Sequence, residues 1–139
     1  MYVLAVDPGG TTGMCLVKPD LGELNIVNSD DIPLEQLSPY ELTMWFDADL
    51  VIMESIVATG RLTAGKIEQI KAAERILYES ESRSIPVRWT HPTASQHVKL
   101  TTKMQQVVRH KHARDALRNL IVYLREEGFD EADLEVTQR

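Results

Sequence analysis

Cysteine is almost missing from this chain and aromatic residues are sparse: one Cys and 6% Phe, Trp and Tyr in 139 residues. The lone thiol, Cys15, lies in an apolar neighbourhood, which fits a buried structural residue in a reducing compartment and leaves no disulfide framework to consider. No stretch approaches the ~18 apolar residues of a membrane span. The N-terminal apolar run ends at Asp7, too early for a secretory signal, so the expected location is the cytoplasm, without membrane contact. Repeats, low-complexity tracts and long linkers are also lacking, and 139 residues suit one domain over 1–139.

Positive charge is in short supply as well. A net charge of −6 argues against a general polyanion binder, yet the average hides an asymmetry. Between Pro86 and Arg118 stand Arg88, Lys99, Lys103, Arg109, Lys111, Arg114 and Arg118 against one acid, Asp115, a segment charge of +6 that leaves −12 for the remainder. A basic segment holding one carboxylate inside an acidic protein is an electrostatic footprint for phosphate. A solvated helix face is the plainer explanation; the lone acid within the patch favours function.

The pattern predicts an α/β fold. Residues 1–7 read as a buried strand, Gly9, Gly10 and Gly13 as turn residues, and Met14 to Val17 and Leu24 to Val27 as two further strands of an antiparallel meander. Ser38 and Pro39 start a helix through Phe46. The run Leu50 to Met53 has the continuous apolarity of a strand covered on both faces. A helix from about Leu62 to Glu81 places Ile67, Ile70, Ala73 and Leu77 inward, with Lys66, Glu74, Arg75 and Glu81 outward. Pro86 to Trp89 is a fifth strand, and Thr102 to Gln105 has the form of a capping box. The last helix carries the stripe Ala113, Ala116, Leu117, Leu120, Ile121 and Leu124, and the acidic tail after Gly128 is expected to fray. The sum is a mixed five-stranded sheet, its first three strands antiparallel, flanked by helices.

Against that frame four residues stand out. Asp7 and Glu54 each close a strand, while His112 and Asp115 lie three apart at the head of the last helix, on one face. Asp7 and Glu54 meet only if the first and fourth strands are parallel neighbours. Taken singly, Asp7 suits a turn, Glu54 a solvated strand end, and Asp115 a partner of the helix dipole. Jointly, three acids and an imidazole at one sheet edge describe a site for divalent metals suited to in-line displacement at phosphorus. Oxygen-rich ligation favours Mg²⁺, and one imidazole makes Mn²⁺ an apt substitute.

The pattern Val6-Asp7-Pro8-Gly9-Gly10-Thr11-Thr12-Gly13, then Val51-Ile52-Met53-Glu54, then His112-Ala113-Arg114-Asp115-Ala116-Leu117 resembles the RuvC family of Holliday junction resolvases, within the ribonuclease H-like nucleases. The parallel is best with its short, phage-type members, which would place the protein in a host cytoplasm. Pro92 with Lys99, and Lys103 to Val107, match the family's basic stretch before the last helix. The resemblance implies a ribonuclease H-like fold and a structure-selective endodeoxyribonuclease that nicks four-way and other branched DNA. It implies Asp7, Glu54, His112 and Asp115 as catalytic metal ligands for two ions: Asp7 shared, Glu54 on one, Asp115 on the other, His112 near the second. The position of His112 is aspartate in many relatives and histidine in others. Lys99 and Lys103 fall where the family embraces the junction, and Arg109, Lys111 and Arg114 extend the candidate DNA contacts.

Two departures stand out. The stretch from Lys103 to His112 is shorter than in cellular members, and Ser55-Ile56-Val57-Ala58 follows Glu54 where those members carry a base-stacking aromatic that bears on cleavage-sequence preference. Paired nicks in a two-fold symmetric junction make a homodimer the economical expectation. The rival readings are an RNA-processing nuclease of the same fold, an inactive junction-binding module, and an actin-like or sugar-kinase ATPase. The last needs a second lobe and a second Gly-rich loop, for which the sequence has no room. His91, His97 and His110 are expected at the surface or on phosphate, and Trp45 and Trp89 in the core or an interface.

Overall fold

Alternation along the first strand divides the molecule into layers. In β1 (Val3–Asp7), Val3 and Ala5 face one way and Leu4 and Val6 the other, all fully buried. A strand buried on both faces needs helices on both sides of its sheet. The computed structural model describes residues 1–20, 22–56, 60–130 and 134–138. Beyond β1 its elements are β2 (Thr11–Asp20), β3 (Glu23–Pro33), α1 (Pro39–Thr43), β4 (Leu50–Glu54), α2 (Ala64–Ser82), β5 (Val87–Thr90), α3 (Thr102–Val107), α4 (Lys111–Glu126) and β6 (Glu135–Gln138). On one face Val3, Ala5, Cys15, Val17 and Ile52 pack under α3 and α4; on the other Leu4, Val6, Met14, Leu16 and Met53 pack with α1 and α2.

Among the described residues the sheet has six strands in the order β5-β4-β1-β2-β3-β6. The meander of β1, β2 and β3 is antiparallel, and β1 and β4 are the parallel neighbours that Asp7 and Glu54 require. The mixed α/β sheet is the expected one, with corrections. The acidic tail supplies a sixth strand instead of fraying: Val136 is buried beside Leu24, and β6 pairs with β3 in parallel. A four-residue strand borrows its stability from the sheet edge it joins, which local composition does not display. β3 continues past a bulge at Val27 through the polar run Asn28 to Asp31, because Leu16, Cys15, Met14 and Gly13 of β2 supply its ladder partners there.

The helices start within about two residues of their sequence signals. Ser38 accepts a hydrogen bond from the Glu41 amide with Pro39 in the first turn. The cap of α3 is Thr101 rather than Thr102, its hydroxyl accepting from the Met104 amide. On α2 the buried face is Ala72, Ala73 and Ile76, while Ile67 is 41% exposed. Of the expected inward stripe Ala73 is buried and Ile70 and Leu77 are half-buried, while Ile67 lies on an N-terminal turn that reaches past the core. Trp45 is buried, and Trp89 lies exposed on the edge strand β5. No described helix is long and apolar enough to cross a membrane.

Candidate metal centre

One row of the sheet carries the site. Asp7 pairs with Gly13, and Gly13 with Asp31, across β1, β2 and β3. Glu54 stands one residue beyond the Val6–Met53 pair on β4, and itself pairs with Thr90 on β5. Partners opposed across a ladder project to the same face, and for this row that is the α4 face. The N-terminal end of α4 comes down on it, with His112 in the first turn and Asp115 just beyond it.

Three of the expected ligands converge. One ligand atom each from Asp7, His112 and Asp115 lie within 4.8 Å of one another, and His112 Nδ1 stands 3.8 Å from Asp7 Oδ2. Glu54 lines the same cleft but stays outside that triplet; its Oε1 accepts from the Ser95 hydroxyl at 3.4 Å. The cleft, about 550 Å³, is also lined by Lys66 and Gln69 of α2, Ser95, and Arg118 and Asn119 of α4.

Electrostatics mark Asp7 as its centre. Burial, then the carboxylates of Asp115, Glu54 and Asp31, raise the Asp7 pKa from its ordinary 3.8 to about 7. Burial likewise raises Glu54, opposed by the Ser95 hydrogen bond and the nearby Lys66 and His91 charges. Carboxylates crowded to this degree favour a bound cation. Two carboxylates and an imidazole in reach of one point, with a third carboxylate alongside, form an oxygen-rich donor set that fits Mg²⁺ or Mn²⁺.

Two residues of the site carry no sequence signal as obvious as the strand-end acids. Asp31 accepts from the backbone amides of His112 at 3.1 Å and Ala113 at 2.7 Å, gripping the start of α4 from β3. Its signal is an acidic pair, Asp30-Asp31, set in what proves to be a strand. Arg118 donates to Asp115 Oδ1 at 2.6 Å and to the Val98 carbonyl at 3.3 Å. The signal there is a spacing of three from Asp115, which shares its helix face. Gly13, expected in a turn, lies within β2 beneath α4.

The candidate DNA contacts divide. Lys99, Lys103, Arg109 and Lys111 are exposed, around the α3–α4 corner. Arg114 is committed inward, its guanidinium donating to the carbonyls of Val108 at 2.7 Å and Gln105 at 2.8 Å, which ties α3 to α4. His91, His97 and His110 are exposed, and His110 Nε2 lies 3.5 Å from Asp30. In the loop after Glu54, Ser55 and Ile56 border the cleft, whereas Val57 and Ala58 lie outside the described residues.

Neither a family model nor a curated protein matches the sequence. Solved structures do match the fold. Thermus thermophilus RuvC in complex with a Holliday junction substrate superposes with a TM-score of 0.67 at 16% identity, over 91% of this chain and 96% of that one. This chain has the RuvC fold. The yeast mitochondrial Holliday junction resolvase aligns with 99% of this chain and 63% of its own, at a TM-score of 0.53 and 12% identity. The Fowlpox virus resolvase, solved with Holliday junction DNA, reaches a TM-score of 0.51 at 17% identity over 74% of this chain and 70% of that one. In this chain the strand order β5-β4-β1 sets Asp7 beside Glu54.

Proposed function

We propose that this protein is a metal-dependent, structure-selective endonuclease that nicks four-way DNA junctions. The observation that carries the reading is the convergence of Asp7, His112 and Asp115 ligand atoms, within 4.8 Å, at one edge of a RuvC-type sheet. Asp7, His112 and Asp115 would hold one divalent ion, and Asp7 with Glu54 a second. Such ions supply Lewis-acid activation of water and neutralise charge at the phosphorus and the leaving 3′-oxygen.

The chain's own groups prepare the rest. Asp7 is largely withdrawn from water at the end of β1, so the field of its carboxylate is little screened. His112 stands beside Asp7 to orient the attacking water. Arg118 steadies Asp115 through one carboxylate oxygen and leaves the other for ligation. Lys66 and Arg118 line the cleft from α2 and α4, placing cationic side chains on two walls that a phosphodiester would enter. Exposed Lys99, Lys103, Arg109 and Lys111 extend positive charge away from the cleft for the flanking duplex arms. A homodimer would match the two-fold symmetry of the junction. Ile67 on α2 and Trp89 on β5 are exposed apolar side chains that such pairing would cover.

The test is direct. Labelled four-way, flap and linear duplex DNA, together with a structured RNA, are incubated with the protein with and without Mg²⁺ or Mn²⁺. The expected result is paired nicks in the four-way substrate, dependent on the ion. Cleavage confined to RNA, or no cleavage of any substrate at any ion concentration, overturns the reading.

A further inference from the structure

The start of α4 carries two of the three converging ligands, yet its own sequence does not seat it. The N-cap residue, His110, makes no side-chain capping bond, and the first turn contains no acid. The seat comes from the sheet. Asp31 accepts from the His112 amide through Oδ2 and from the Ala113 amide through Oδ1. Its ladder partner Gly13 has no side chain, and a Cβ built there would fall 1.9 Å from the His112 carbonyl oxygen. The helix is therefore pulled down by one strand onto the bare backbone of the next.

We propose that Asp31 is the positioning residue of the metal centre: its two-oxygen grip on the His112 and Ala113 amides, over Gly13, fixes the height and rotation of α4 and so aligns His112 and Asp115 with Asp7. The inference rests on the metal-centre reading above and names a residue that acts on that site through the backbone.

Simple helix capping does not account for it. A cap is ordinarily supplied locally by Ser, Thr, Asn or Asp. α4 buries nine residues of its own, so its folding does not hang on one cap. A local neutral cap at His110 would also avoid adding charge to a crowded site, since Asp31 is among the carboxylates that push Asp7 upward. What a cap at position 110 would lack is a reference to the sheet. Asp31 shares its row with Asp7, so its grip sets the helix ligands against the strand ligand.

The experiment compares wild type, Asp31→Ala and Asp31→Asn by Mn²⁺ titration, amide hydrogen exchange and metal-free thermal unfolding. Asp31→Ala is expected to stay folded, to exchange faster at His112 and Ala113, and to bind Mn²⁺ about 10–100-fold more weakly, the cost of losing an outer support of a metal ligand. Asp31→Asn keeps one acceptor without the charge and should lose less than Asp31→Ala. Wild-type Mn²⁺ affinity in Asp31→Ala overturns the proposal. So does an Asn variant that loses as much as the Ala variant, because charge alone would then explain both. If Asp31→Ala does not fold, the Asn variant decides: locally faster exchange at His112 and Ala113 with weaker Mn²⁺ binding supports positioning, and unchanged exchange refutes it. Failure of the wild type to bind Mn²⁺ overturns the metal reading itself, and this proposal with it.

Discussion

Gly13 and His112 meet without room for a single carbon between them: a Cβ on Gly13 would stand 1.9 Å from the His112 carbonyl oxygen and 2.6 Å from the Ala113 nitrogen. The neighbouring atoms are backbone of a buried helix, so no flexible side chain can yield. Gly13→Ala must lift the first turn of α4 and should destabilise the protein by about 1–3 kcal/mol, the usual range for overpacking. The same lift should weaken Mn²⁺ binding. Denaturant unfolding of the variant checks the first effect, and an unchanged midpoint would contradict the contact.

Neutralising the ligands should separate chemistry from binding. Asp7→Asn, Glu54→Gln and Asp115→Asn should each lower cleavage at least ~10²–10³-fold, by analogy with removing a transition-state charge stabiliser, while junction binding persists. Asp7→Asn should also raise metal-free stability above pH 7, because it removes the carboxylate that its neighbours oppose. Near-wild-type turnover by any of the three, with native circular dichroism, would sink the assignment.

The raised pKa of Asp7 has a definite sign. Between its ordinary 3.8 and about 7 the folded protein holds a proton that the unfolded chain has released. Stability of the metal-free protein is therefore fully present below the lower value, falls as pH rises through that window, and levels off above it. The span corresponds to an upper bound on the order of 4 kcal/mol. Thermal unfolding at pH 5 and pH 8 in chelator should give the higher midpoint at pH 5, and Mn²⁺ should recover the difference at pH 8. A metal-free protein that is more stable at pH 8 would show that Asp7 is not the dominant titrating group.

His112 stands close enough to Asp7, at 3.8 Å, for a carboxylate in its place to reach the same ion. His112→Asp should accordingly retain activity with Mg²⁺, and His112→Ala should lose most of it. Single-turnover rates of the two variants provide the comparison, and equal rates for His112→Ala and wild type would remove the imidazole from the site.

The exposed lysines and the inward Arg114 should behave differently. Lys99→Ala and Lys103→Ala are expected to weaken junction binding and to flatten the plot of log K against log salt by about one unit per lost phosphate contact. Arg114→Ala releases the Val108 and Gln105 carbonyls and should lower stability instead. Weaker binding by the lysine variants at a constant salt slope would mean that they act through folding.

The strand-end acids Asp7 and Glu54 and the helical pair His112 and Asp115 were legible in the sequence, because each is tied to a local period: an apolar run that stops, or a spacing of three on a helix. The mixed sheet followed from the same periods. Tertiary structure decided what has no period. The strand character of Glu135 to Gln138 and of Asn28 to Asp31 comes from ladder partners far along the chain. Gly13 reads as a turn because glycine usually marks one; only the packed helix shows that it is small for the sake of contact. Asp31 reaches His112 and Ala113 across more than eighty positions, and Glu54 keeps to the wall of the cleft by accepting from Ser95. The sequence determined which groups this protein owns and at which strand and helix ends they sit. The distances among them are set by side chains packed against elements remote in sequence, and those only the fold could decide.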